Sequence, residues 1–62
     1  MDTTLTFRAK YSNPNESGPR YMLIGGRGIE NQESATRYFE RTWKNSDVQG
    51  VELLKMECLG YV

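Results

Sequence analysis

The sequence predicts a two-layer α+β domain, β-β-α-β, and three observations predict it. Residues 3–11 alternate apolar and polar with period two, the signature of a half-buried strand. Residues 31–45 switch to the 3.6-residue period of an amphipathic helix. Two further apolar runs read as strands: 20–25, bounded by Pro19 and Gly25, and 51–59, which follows the helix exit marked by Gly50.

In the first strand Leu5, Phe7, Ala9 and Tyr11 point one way, and Thr4, Thr6, Arg8 and Lys10 the other. Residues 12–19 hold Pro14, Pro19, Gly18 and several Asn and Ser, the chemistry of a loop. Its length costs little, because closure entropy grows slowly with loop size, so it reads as slack. Tyr21-Met22-Leu23-Ile24 form the second strand, which Gly25-Gly26-Arg27-Gly28 ends. In the helix, Ala35, Phe39, Thr42 and Trp43 make one apolar stripe, and Asn31 can cap its start. Glu33–Arg37 and Glu40–Lys44 are i,i+4 pairs in the favourable order. Acids near the start and bases near the end complement the helix dipole.

The last strand does not alternate cleanly. Leu54, Met56 and Cys58 oppose Lys55 and Glu57, yet Val51, Leu53, Leu59 and Tyr61 share the parity of those charges. Either a bulge shifts the register or something covers the outer face. The first two strands make a hairpin, and a crossover through the helix brings the third beside the first. The expected sheet is therefore antiparallel with order 2-1-3, one helix on one face, and one domain over residues 1–62.

Size and composition bound the function. A chain of 62 residues buries only about 60% of its unfolded surface, so its stability is thin and self-association as a homodimer is expected to help. One cysteine and no histidine rule out an internal disulfide and weigh against a structural zinc. No cofactor and no metal are expected. Eight basic and eight acidic side chains give zero net charge, unlike a dedicated non-specific nucleic-acid binder. No apolar run approaches the ~20 residues that span a bilayer. The start lacks signal-peptide character. The expected location is the cytoplasm, with Cys58 a reduced, buried and inert thiol.

Without histidine, the commonest general base is missing, and no activated nucleophile is evident, so the chain reads as non-enzymatic. Glu52 and Glu57 have opposite parity and should face opposite ways. Gly26-Arg27-Gly28, after a strand and before a helix, is a candidate anion-binding turn, though Glu30 and Glu33 would repel a phosphate there. Arg37, Arg41 and Lys44 on the helix, with Tyr11 and Tyr61 near strand ends, are the candidate partner-binding residues.

The expected function is a protein-binding module acting by steric block. Short, neutral chains without catalytic residues are a style common among phage and other mobile-element accessory proteins that inhibit a host protein. A nucleic-acid-binding module using the same basic helix face is the alternative.

Overall fold

The computed structural model describes residues 4–61. The order is β1 (Leu5–Ser12), β2 (Arg20–Gly25), α1 (Gln32–Lys44) and β3 (Glu52–Tyr61). The strands form one antiparallel sheet in the order β2-β1-β3, as the pattern predicts. β1 ends one residue later than expected and β3 two residues later, while the expected start of β1 at residue 3 lies outside the described residues.

The core lies between the sheet and α1. Phe7, Ala9 and Ile24 from the sheet meet Ala35 and Phe39 from the helix, and Ile29 closes the end near the helix start. Phe7 pairs across from Ile24 and Ala9 from Met22, so alternation on two strands supplies one apolar face. At the other end Tyr11 packs between Phe39 and Trp43, with ring centroids 5.6 and 5.3 Å away in tilted geometry. Tyr11, a candidate partner-binding residue, is thus half-buried at the core margin. Although it stands near a strand end, α1 reaches far enough to pack against it. Thr42, expected on the buried stripe, is exposed, and its hydroxyl donates to the Tyr38 carbonyl.

Asn31 caps the helix as predicted. Its Oδ1 accepts from the Ser34 amide at 2.9 Å, and the Ser34 Oγ accepts in return from the amides of Asn31 and Glu30. Arg37 pairs with Glu33 at 2.6 Å. The expected Glu40–Lys44 pair does not form within 4 Å among the described residues.

The irregular parity of β3 is resolved by two bulges. The register shifts between Lys10 and Tyr11, leaving Leu54 without a partner, and again between Thr6 and Phe7, leaving Leu59 without one. Leu53, Met56 and Cys58 therefore pair with Tyr11, Ala9 and Phe7 on the helix side. Leu54, expected on that side with Met56, stands unpaired and 52% exposed. Glu52 and Glu57 pair with Ser12 and Arg8 and so share the outer face, contrary to the parity of a regular strand. Cys58 is exposed, not buried. It stands on an edge strand, where the single helix does not reach to cover it.

Candidate binding surface

Two surfaces carry clustered charge. The first is the outer face of the sheet, where Arg8 and Lys10 of β1 stand beside Tyr21 and Leu23 of β2 and Lys55 and Glu57 of β3. Tyr21 is 57% and Leu23 67% exposed. Lys10 and Lys55 are directly opposed, which is unfavourable on its own. Glu57 offsets it, lying 2.6 Å from Arg8 and 3.8 Å from Lys55. The Arg8 guanidinium also lies over the Tyr21 ring, 5.1 Å from its centroid. Arg8 is thus matched to an acid and an aromatic ring and Lys55 to the same acid, while Lys10 has no carboxylate within 4 Å among the described residues.

The second surface is built by the turn between β2 and α1. Gly26 and Gly28 take φ values of 118° and 91°, which side chains disfavour, and the Ile29 amide donates to the Gly26 carbonyl at 3.1 Å. This tight turn holds Arg27 at its tip while burying Ile29 in the core. On α1, Arg37 and Arg41 are one turn apart on the same face, with Tyr38 beside them. Arg27, Ile29, Ser34, Arg37, Tyr38 and Arg41 line one shallow depression of about 240 Å³. On the far side of the same turn, Tyr61 and Arg27 help line a second depression of about 490 Å³. Tyr38 and Tyr61 are 47% and 69% exposed.

The predicted site residues thus divide. Arg27, Arg37 and Arg41 come together, and Tyr61 adjoins them across the turn. Lys44 lies apart, lining a cavity of about 540 Å³ with Phe39, Trp43, Val51 and Leu53 at the other end of the helix. Gly26 and Gly28 shape the turn. The amides that end in this region, those of Glu30, Asn31 and Ser34, are used by the capping box. An anion here would accordingly be met by guanidinium groups rather than by those amides. Tyr38 is not among the sequence-predicted binding residues, although its place next to Arg37 on the helix is the signal that could have found it. Joining Arg27 to Arg37 and Arg41 required knowing how the turn folds back along the helix.

Among the described residues, no three of His, Cys, Asp and Glu are grouped as a metal site requires. No helix there is long and apolar enough to cross a membrane. In comparisons with known proteins, the chain matches no protein family, no curated protein and no solved structure.

Proposed function

We propose that this chain is a non-enzymatic binding module that engages a protein partner through the Arg27–Arg37–Arg41 face, with Tyr38 and Tyr61 flanking it. Its mechanism is occupation of the partner's working surface. One observation carries this reading: three arginines from two elements line a single depression beside an exposed tyrosine. Arg and Tyr are the residue types on which binding energy concentrates, because each combines a broad contact face with directional hydrogen bonds. The three arginines stand on a capped helix and a tight turn, so the main chain that carries them needs little ordering on association.

The nucleic-acid alternative is favoured by the same arginines and by Tyr38 as a stacking platform. It is opposed by the zero net charge and by Glu33, which takes up the charge of Arg37. The experiment is a tagged pulldown using the wild type and an Arg27→Ala/Arg41→Ala variant, each with and without nuclease. The expected result is one stoichiometric protein that survives nuclease and is lost in the variant. Equal recovery by the variant removes this face. Loss on nuclease treatment moves the reading to nucleic acid.

A further inference from the structure

We propose that the depression between Arg27, Arg37 and Arg41 is a phosphoryl-binding site, and that the protein segment it receives carries a phosphorylated side chain. This rests on the protein-binding reading of the same face and names the chemistry of its partner. The argument begins with charge. Arg37 is engaged by Glu33 at 2.6 Å, whereas Arg27 and Arg41 have no carboxylate within 4 Å among the described residues. Two unmatched guanidinium groups therefore line one depression with a third that is already neutralised. A single carboxylate would leave one of them unmatched. A phosphomonoester carries about −1.5 to −2 near neutral pH and matches both.

Geometry adds to charge. Each guanidinium offers a planar fork suited to two phosphate oxygens, which a lysine ammonium cannot reproduce. Arg37, paired with Glu33 on the exposed helix face, adds little net charge, and neither Glu30 nor Glu33 lines the depression itself. Tyr38 and Ile29 give the same depression an aromatic and an aliphatic surface, against which the stem bearing the phosphoryl group can rest. The outer sheet face is the internal contrast. It also gathers Arg8, Lys10 and Lys55, but Glu57 bridges Arg8 and Lys55, which leaves one lysine ammonium, Lys10, rather than two guanidinium groups without a carboxylate within 4 Å among the described residues.

The test uses phenyl phosphate as probe, with benzoate as the monoanionic control and a short single-stranded oligonucleotide as the competing source of phosphate. Amide chemical shifts report where each binds. Saturable binding of phenyl phosphate is expected, with a dissociation constant of roughly a few millimolar for so small a ligand. The shifts should centre on Arg27, Ile29, Tyr38 and Arg41. Benzoate should bind at least about tenfold more weakly, since it can match only one of the two charges. Arg27→Gln/Arg41→Gln should weaken phenyl phosphate by a similar factor without lowering the melting temperature, and Lys10→Gln should leave it unchanged. Absence of saturation, or binding indifferent to the arginine pair, overturns the proposal. If the same pair is still needed in the pulldown, only the phosphoryl chemistry fails and the binding face stands. An oligonucleotide that binds more tightly than phenyl phosphate through the same arginines also overturns it, in favour of a nucleic-acid backbone.

Discussion

Leu53 and Met56 lie three residues apart on β3 yet share its helix-facing side, because Leu53 pairs with Tyr11 and Met56 with Ala9. The unpaired Leu54 between them absorbs the odd residue. Strict alternation would instead pair Leu54 with Met56 on the inside and turn Leu53 out. The two arrangements predict opposite sensitivities. Leu53→Ala is expected to destabilise by about 2 kcal/mol, the low end for a leucine that is only partly buried. Leu54→Ala, at an exposed position, should change stability by no more than about 0.5 kcal/mol. Urea unfolding of both variants measures the difference, and the reverse ranking would mean that the register of β3 is regular.

The sheet order, the helix and its cap were legible because they rest on local rules: period two, period 3.6, and an Asn before an apolar stripe. The bulges were legible only as a contradiction, since parity says that a strand is irregular but not which residue is extruded. Cys58 was misjudged for a related reason. Pairing places it opposite Phe7, on the apolar side, but one helix cannot cover three strands, and an edge position leaves the thiol exposed. Ile29 joined the core without any periodic signal, because it sits in a turn rather than in an element. The arginine cluster was legible in part. Arg37 and Arg41 follow from helical spacing, whereas Arg27 is brought to them by glycine-dependent turn geometry. Lys44, three residues beyond Arg41, lies at the helix end and lines a different cavity.

Gly50 ties the β1–β2 loop to the approach of β3. Its φ is +84°, and a Cβ added there would lie 3.3 Å from the Pro14 Cγ. Gly18 has the same φ but open space around it, so the pair separates backbone strain from crowding. Gly18→Ala is expected to cost about 1–2 kcal/mol through the left-handed conformation alone. Gly50→Ala should cost more, because the proline ring must also move. In a domain of this size each 1 kcal/mol lowers the melting temperature by roughly 4–8 °C, so thermal unfolding resolves the ranking. Equal losses would show that Pro14 yields freely and that the loop is not anchored there.

Trp43 and Phe39 share the aromatic margin of the core, with ring centroids 6.3 Å apart, yet they should respond differently to substitution. The Trp43 Nε1 is buried without a hydrogen-bond partner among the described residues. An unsatisfied buried donor costs about 1–3 kcal/mol, and Trp43→Phe removes it while keeping an aromatic ring against Tyr11. The lost ring area and the recovered desolvation oppose one another, so the net change is expected to stay within about 1 kcal/mol. Phe39 is 3% exposed, and Phe39→Ala should cost about 3–5 kcal/mol. That equals the whole stability of about 3–5 kcal/mol that one small core supplies, so this variant should lack a cooperative melt at room temperature. A tryptophan variant as damaged as the phenylalanine variant would mean that the indole N–H finds an acceptor in solution.

Arg8 is engaged twice on the outer face, by Glu57 at 2.6 Å and by the Tyr21 ring at 5.1 Å. The two contacts come from opposite neighbours, so Arg8 links both edge strands across the central one. Because Arg8 and Glu57 remain substantially exposed, solvent screens their attraction, and a double-mutant cycle should give a coupling of about 0.2–1 kcal/mol. Raising the salt to about 1 M shortens the screening length to about 3 Å and should remove most of that coupling. The Tyr21 contact should persist better, since much of it is burial of ring and alkyl surface rather than charge. Arg8→Lys discriminates further, because an ammonium keeps the charge near Glu57 but lacks the flat guanidinium that stacks on the ring. It should retain the salt-sensitive coupling to Glu57 and lose most of the coupling to Tyr21. A cycle in which neither coupling rises above about 0.2 kcal/mol would place Arg8 among the many surface ion pairs that contribute nothing measurable.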